Sequence, residues 1–283
     1  MKRYQAHGLE HEEIVFEVLP GYQCSGVMVR PSTALSARSP GVVAIHGTNR
    51  DLARFNTIRP DVHPNAAYGI EFAQRGYVAI TVDQFGFGDW VKSMTEAELY
   101  AKFTRDFPDW SLDGIRLHIQ QCAVSILAAD PQVDAQRIAC IGNSLGGRAA
   151  VYLAAFDERV KAAVVSTGVS GNTANVFRNR SVEQGEGLSP RLNAALLENG
   201  RAPWEYEELL AIIAPRALIL LEPFNDVYNP STDTTVACFL KARRVYELLD
   251  APRDCTLVCH GRGHSTPPEM RQYAYALVDL ALA

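Results

Sequence analysis

The sequence lacks the segments that would direct a chain to a membrane or to nucleic acid. No apolar run approaches the ~18 residues that a membrane-spanning helix requires, and residues 1–17, MKRYQAHGLEHEEIVFE, contain no apolar core of a signal peptide. There is no basic tract, and the formal net charge is -5, so nothing favours a nucleic-acid partner. We therefore expect a cytoplasmic protein with neither a nucleic-acid nor a membrane partner.

A disulfide framework is also lacking, because the six cysteines are scattered along the chain. The closest pair, Cys255 and Cys259, lies in the strand-like run CTLVCHG. Four strand steps of ~3.3 Å put these two residues roughly 13 Å apart, which is too far for a disulfide. His7 and His11 stand beside acidic residues, but no third ligand motif accompanies them, and we expect no metal site.

What the sequence does have is an alternation of short apolar runs with longer helical patterns. Eight runs predict strands, at residues 12–19, 24–31, 41–47, 77–83, 137–142, 161–168, 216–222 and 255–261. The first two form a predicted hairpin around Pro20 and Gly21, and the later runs are apolar throughout, as in strands covered on both faces. Helical patterns occupy residues 111–130, 145–156, 235–249 and 268–281. This order predicts an α/β fold with a mostly parallel sheet and helices on both faces.

One helical pattern, SLDGIRLHIQQCAVSILAAD, shows how these predictions are made. Its apolar residues Ile115, Ile119, Cys122 and Ile126 recur at steps of four, three and four, which is a helical stripe. Ser111 precedes the stripe and suits an N-cap.

Residues 169–213 depart from the alternation because no clear strand occurs there. A structureless loop of that length is unusual, so we predict a small cap or lid inserted after the sixth strand of a single domain, residues 1–283.

The stretch GNSLGG, between a predicted strand and a predicted helix, has the form of a nucleophile elbow. In such a turn Ser144 occupies a strained backbone conformation with its hydroxyl raised above the sheet. Gly142 and Gly146 fit the two positions where a side chain would collide with the neighbouring strand and helix. Ser144 is therefore the candidate nucleophile.

A serine hydroxyl needs a base and an acid, and in this fold they follow it in the order acid, then histidine. Of the two histidines after the serine, His264 lies in the loop GRGHSTPP, whereas His260 lies inside or at the end of a strand; we favour His264. Three acids stand at the end of the run RALILLE or after it, and we favour the one in the turn that follows the run. The three candidates are Glu222, Asp226 and Asp233, of which Asp226 is preferred.

The oxyanion hole of this fold takes one backbone N–H from the residue after the nucleophile and one from the loop after an earlier strand. These positions correspond to Leu145 and Thr48. His46 either braces that loop or is an ordinary histidine at the edge of the core. Four residues are candidates for lining the substrate pocket: His46, Asn143, Arg50 and Trp204.

These residues resemble those of the α/β-hydrolase family, and within it the dienelactone-hydrolase-like and acetyl-xylan-esterase-like bacterial esterases. The motifs that carry the resemblance are RGYVAITVDQFGFGDW, PQVDAQRIACIGNSLGGRAA, DERVKAAVVSTG and APRALILLEPFND. The resemblance implies an eight-stranded, mostly parallel sheet, no cofactor, and a triad of Ser144, Asp226 and His264. True dienelactone hydrolases carry a cysteine where this chain has Ser144, so their substrate does not follow from the resemblance.

From these observations we expect a serine esterase that cleaves a small-molecule carboxylic ester through an acyl-enzyme, without cofactor or metal. An amidase or peptidase on the same residues is one alternative, and a non-catalytic binding protein of the same fold is another. The sequence leaves open the natural substrate and whether the chain forms homo-oligomers.

Overall fold

The computed structural model describes residues 2–32, 37–174, 190–230 and 232–283. In these residues nine strands form one sheet, in the order β1-β2-β3-β5-β4-β6-β7-β8-β9. The strands are β1 (Arg3–Ala6), β2 (Leu9–Leu19), β3 (Tyr22–Pro31), β4 (Ser39–Ile45), β5 (Val78–Val82), β6 (Val133–Asn143), β7 (Val160–Ser166), β8 (Ala217–Pro223) and β9 (Cys255–His260).

The sheet is parallel from β5 through β4, β6, β7 and β8 to β9, and antiparallel at the edge that β1, β2 and β3 form. All eight predicted strands are present, including the hairpin of β2 and β3, so the α/β-hydrolase fold with a mostly parallel sheet is confirmed. The expected number of eight strands was wrong because β1 was missed. β1 has four residues that alternate between exposed and half-buried, which is too short and too polar for an apolar pattern.

The described residues contain eight α-helices, and most of them connect strands of the parallel part of the sheet. They are α1 (Tyr68–Gln74), α2 (Glu96–Asp106), α3 (Leu112–Ala129), α4 (Leu145–Phe156), α5 (Pro190–Asn199), α6 (Tyr206–Ile213), α7 (Thr232–Leu248) and α8 (Pro268–Ala281). Two short 3-10 helices, Ala53–Thr57 and Gly88–Val91, lie in the loops after β4 and β5.

Each parallel strand buries side chains on both faces of the sheet. In β4, Val43 and Ile45 belong to a core that also contains residues of α3 and α4. Val42 and Ala44 point to the opposite face and belong to a second core, which contains residues of α1 and α8. The continuous apolar runs of the sequence are explained by this double burial.

Helix α3 buries a slightly different face from the one that its sequence pattern predicts. Ile115 and Ile119 are fully buried, but Cys122 and Ile126 are only half-buried. The buried face of the second half of the helix consists of Ala123, Val124 and Leu127. Small and branched residues thus take the place in the core that the stripe assigned to its last two members.

The segment predicted as a cap lies only partly within the described residues. Residues 190–213 contain α5 and α6, while residues 175–189 lie outside the described ranges. The cap at 169–213, and its place within a single domain of residues 1–283, therefore stay predictions. Across the parts of the chain that the structure describes, no helix is both long enough and apolar enough to cross a membrane, and the cytoplasmic location stays a prediction.

Candidate active site

The carboxyl ends of the parallel strands bring the loops of the site together at one edge of the sheet. Ile45 at the end of β4 is in register with Gly142 of β6. Farther along the same edge, Pro223 of β8 is in register with His260 of β9. In open α/β sheets ligands bind at this edge, and the predicted nucleophile, acid and base all follow these strand ends.

Ser144 forms the turn between β6 and α4 in a left-handed conformation, with φ of 58° and ψ of -122°. A positive φ is uncommon for a residue with a side chain and is a form of strain that clusters at functional sites. A Cβ added at Gly142 would overlap the carbonyl oxygen of Gly146, and one added at Gly146 would overlap the carbonyl oxygen of Ile45. The two glycines therefore make the tight turn sterically possible.

Polar groups from neighbouring strands hold the turn from behind. The Ser144 amide donates to the Ser166 carbonyl and to Thr167 Oγ1, each at 2.9 Å. Asn143 Nδ2 donates to Ser166 Oγ and Thr167 Oγ1, each at 3.0 Å. Thr266, in the loop after β9, donates to Ser166 Oγ at 3.1 Å. This network connects the serine turn to the loop that carries the candidate base.

His264 and Asp226 form a close pair, with Nδ1 of the histidine 2.6 Å from Oδ2 of the aspartate. The Asp226 side chain is fully buried, and its other oxygen accepts hydrogen bonds from the amides of Tyr228, at 2.7 Å, and Asn229, at 3.1 Å. The Tyr228 ring meets the His264 ring edge to face, with the centroids 4.9 Å apart. The imidazole is therefore oriented on one side by a carboxylate and packed on another by an aromatic ring.

The alternative acids and the alternative base lie elsewhere. Glu222 is inside β8, and Asp233 is in the first turn of α7. His260 ends β9 as a buried residue; its Nδ1 accepts a hydrogen bond from the Arg262 amide at 3.3 Å, and burial lowers its pKa. Of these candidates, Asp226 is the acid that pairs with a histidine in the described structure.

Ser144 and His264 line one open cavity of about 610 Å³. In the described part of the chain no hydrogen bond joins the two side chains. Catalytic hydrogen bonds are often long in a protein without substrate and shorten when substrate binds. Thr48 and Asn143, two of the other predicted site residues, also line this cavity.

The loop after β4 comes close to the serine. A Cβ added at Gly47 would lie 3.6 Å from the Ser144 Cβ. The position of this loop is fixed by His46, which is fully buried: its Nδ1 donates to the Gly47 carbonyl at 2.7 Å and its Nε2 accepts from the Gln84 amide at 3.0 Å. His46 thus braces the loop and does not line the cavity described here. The Leu145 amide opens α4 directly after the serine, where the positive end of the helix dipole lies.

Two predicted pocket residues lie outside the cavity as the structure describes it. Arg50 forms an ion pair with Glu96 in the first turn of α2. Trp204 packs against Tyr152 and Tyr206, with ring centroids 5.9 Å and 5.7 Å away. These contacts give both side chains structural partners.

Sequence reasoning missed a set of polar residues that line the same cavity as the candidate base. Asn49 Nδ2 donates to Asn56 Oδ1 at 3.2 Å and lies 3.3 Å from His63 Nε2. The set consists of Asn49, Asn56, His63 and Asn65. The signal that could have found them is the recurrence of asparagine and histidine in the loop between β4 and α1. No Asp, Glu, Lys or Arg is among the described residues that line this cavity.

The structure offers little to hold a metal ion. Within the described ranges, no group of three or more His, Cys, Asp or Glu side chains could bind one. At the N-terminus, His11 is buried and its ring stacks on Tyr4. The expectation of a protein without metal or cofactor stays a prediction.

A parallel sheet between two helical layers, with a serine on a left-handed turn and an aspartate–histidine pair at its carboxyl edge, defines an α/β-hydrolase. Residues 26–184, more than half of the 283 residues, match the model of the family described as "Dienelactone hydrolase family". The chain belongs to this family, as its motifs indicated. Residues 122–250 also match the model described as "Glucuronyl esterase, fungi".

Individual relatives are distant. The chain is 24% identical over 192 residues to "Putative hydrolase YtaP" of Bacillus subtilis (strain 168), a match that covers 66% of this chain and 59% of that protein. "Methylesterase BT1017" has a similar structure, with a TM-score of 0.72 and 18% identity over 100% of this chain and 58% of the other. A glucuronoyl esterase from Solibacter usitatus gives a TM-score of 0.74 and 15% identity, covering 98% and 82%. The chain spans about three fifths of YtaP and of BT1017, and at these identities the two solved structures establish the fold alone.

Proposed function

We propose that the chain is a serine esterase that hydrolyses small carboxylic esters through an acyl-enzyme. The observation that carries the proposal is the 2.6 Å contact between His264 and Asp226, because His264 lines the same cavity as Ser144, which stands on a left-handed turn. Membership of a hydrolase family supports the same reaction class.

In the proposed mechanism Asp226 holds His264 through Nδ1, so that Nε2 is the nitrogen that takes the proton of Ser144. Ser144 Oγ then bonds to the ester carbonyl carbon. The bond from that carbon to the alkoxy oxygen breaks, and the departing alcohol receives the proton from Nε2. A water molecule, deprotonated by Nε2, attacks the acyl-enzyme, releases the acid and restores Ser144.

The negative oxygen that develops in each tetrahedral intermediate needs two hydrogen-bond donors. We assign this role to the backbone amides of Leu145, directly after the serine, and of Thr48, in the loop after β4. Losing one such donor typically lowers kcat about 100- to 1,000-fold.

The cavity favours neutral substrates that can hydrogen-bond, because most of its described lining residues are of polar types and none is an Asp, Glu, Lys or Arg. Similar solved structures include a methylesterase and a glucuronoyl esterase by name. Methyl, acetyl and glucuronoyl esters are therefore the first substrates to compare, together with aryl esters and the matching aryl amides.

Replacing the nucleophile tests the proposal directly. We expect Ser144→Ala to lower kcat by about a million-fold, because no other group in the mechanism can form the acyl bond. Ser125→Ala is the matched control: this serine is exposed on α3 and donates to the Gln121 carbonyl. The measurements are ester hydrolysis and labelling with a fluorophosphonate probe, followed by mass spectrometry of the labelled residue.

The wild type and the control should carry one label, at Ser144, and the Ser144 variant none. An unlabelled wild type that hydrolyses none of the esters would overturn the proposal. Faster turnover of the aryl amide than of its ester would replace the esterase assignment by an amidase.

A further inference from the structure

A second carboxyl group lies behind the Asp226–His264 pair, at the end of β8. Glu222 is 1% exposed. Its Oε1 accepts hydrogen bonds from Asn229 Nδ2, at 3.1 Å, and from Thr235 Oγ1, at 3.4 Å. Because burying a carboxyl group is costly unless its partners compensate, the position calls for a role that an apolar residue could not fill.

Asn229 connects this carboxyl to the acid of the pair. Its two amide hydrogens are both used: Nδ2 donates to the Val169 carbonyl, at 3.1 Å, as well as to Glu222. Its backbone amide donates to Asp226 Oδ1, at 3.1 Å. The loop that carries Asp226 is thereby tied to the chain after β7 and to the end of β8.

The charge that Glu222 and Asp226 carry together depends on the burial of Glu222. Burial raises the pKa of Glu222 from its ordinary 4.5 to about 8, and the Asp226 carboxylate adds to the rise, while the hydrogen bonds from Asn229 and Thr235 oppose it. On the neighbouring strand β9, burial and the nearby Glu222 together raise the pKa of the Cys259 thiol. A protonated Glu222 at neutral pH leaves the negative charge of this cluster on Asp226, where it stabilises a protonated imidazole.

We propose that Glu222 is a positioning residue, which acts through Asn229 to hold the loop of Asp226 in the place where Oδ2 meets His264 Nδ1. Glu222 neither touches substrate nor transfers a proton in this role. The inference rests on the proposed esterase function for its kinetic consequence, but the geometry of the Asp226–His264 pair can be measured independently of turnover.

Three single variants separate the hydrogen bond from the charge. Glu222→Gln keeps a carbonyl acceptor for Asn229 and is neutral at every pH. Glu222→Ala removes the acceptor. Asn229→Ala removes the side-chain amide that binds Glu222 and keeps the backbone amide that binds Asp226. The first readout is the far-downfield proton NMR signal of the hydrogen shared between His264 Nδ1 and Asp226, assigned by its loss in His264→Ala.

We expect this signal in the wild type and in Glu222→Gln, and its loss or broadening in Glu222→Ala and Asn229→Ala. In ester hydrolysis the two alanine variants should lower kcat about tenfold or more, with KM within about twofold, because a small misplacement of catalytic groups is costly in rate. The double variant Glu222→Ala, Asn229→Ala should have about the same kcat as either single variant, because both substitutions break the same connection. Glu222→Gln should restore kcat.

Unchanged signals and unchanged kcat in both alanine variants would overturn the inference and leave the esterase assignment intact. A wild type without esterase activity, combined with loss of the signal in the alanine variants, would instead overturn the proposed function and uphold the positioning role. Thermal unfolding of each variant identifies any that fails to fold. If Glu222→Ala does so, the half-buried Asn229→Ala decides the outcome.

Discussion

At the residue scale, His46 shows how burial changes the pKa of a side chain in the loop that approaches Ser144. Both ring nitrogens have backbone partners, the Gly47 carbonyl and the Gln84 amide. Burial lowers its pKa to about 4, and the bond to the Gly47 carbonyl opposes the fall. The ring is therefore neutral at ordinary pH, with the proton on Nδ1, and serves as a rigid spacer between the loops after β4 and β5.

This lowered pKa gives a prediction for stability at acid pH. In the unfolded chain His46 binds a proton below its ordinary pKa of 6.5, whereas the folded protein resists protonation until about pH 4. The free energy of unfolding contributed by His46 should thus be complete above 6.5 and be lost as the pH falls toward 4. His46→Gln should remove this part of the slope, measured by urea unfolding at several pH values.

The exposed histidine His7 supplies the control. His7→Gln makes the same substitution at an exposed side chain, so it controls for the loss of a histidine from the chain as such. Equal slopes for His46→Gln and the wild type would contradict the prediction.

A site residue can be predicted from the sequence when the residues that fix its position lie close to it in the chain. Ser144 is recognisable because the glycines that make its turn possible stand beside it in sequence. Asp226 and His264 follow from the fold's chain order, although their 2.6 Å contact spans 38 positions. Arg50 had no such help: its ion pair with Glu96, on a helix far along the chain, leaves no local mark. The roles of all these residues in catalysis stay proposals.

At the element scale, helices with clear ends were predicted best. The bounds of α4 and α8 are those predicted, because a glycine turn or a proline marks where each begins. Helix α1 was missed because most of its seven residues are buried, which leaves no polar face to reveal a period. Helix α2 was missed although Thr95 and Glu98 form a capping box that the sequence displays.

The cap of α3 gives a prediction at this scale. Ser111 Oγ accepts a hydrogen bond from the Gly114 amide at 3.0 Å, which confirms the predicted N-cap. Ser111→Ala should lower the free energy of unfolding by about 1 kcal/mol, because that amide loses its partner. Ser125→Ala, in the middle of the same helix, should change it by less than about 0.5 kcal/mol. Chemical denaturation of the two variants compares them, and equal losses would refute the cap as the cause.

At the scale of the whole molecule, the sheet places two buried titratable groups near its carboxyl edge with opposite responses to pH. His46 follows β4 and has a lowered pKa, while Glu222 is the next-to-last residue of β8 and has a raised one. Burial disfavours the charged form of each, so the imidazole resists gaining a proton and the carboxyl resists losing one. Stability should therefore decline toward acid through His46 and toward alkali through Glu222.

The alkaline side of this balance can be isolated. Above about pH 4.5 the Glu222 carboxyl of the unfolded chain has lost its proton, whereas the folded protein keeps this proton up to about pH 8. Because the folded state then binds more protons, stability falls as the pH rises through this window. Glu222→Gln cannot titrate. Its free energy of unfolding, relative to the wild type, should rise across this window by more than about 1 kcal/mol and level off above about pH 8. Above about pH 6.5 the contribution of His46 to stability is constant. Of these two groups, urea unfolding between about pH 6.5 and 8 therefore reports on Glu222 alone. A difference between variant and wild type that stays flat across this interval would mean that Glu222 is already ionised in the fold, and that the cluster around Asp226 carries two negative charges instead of one.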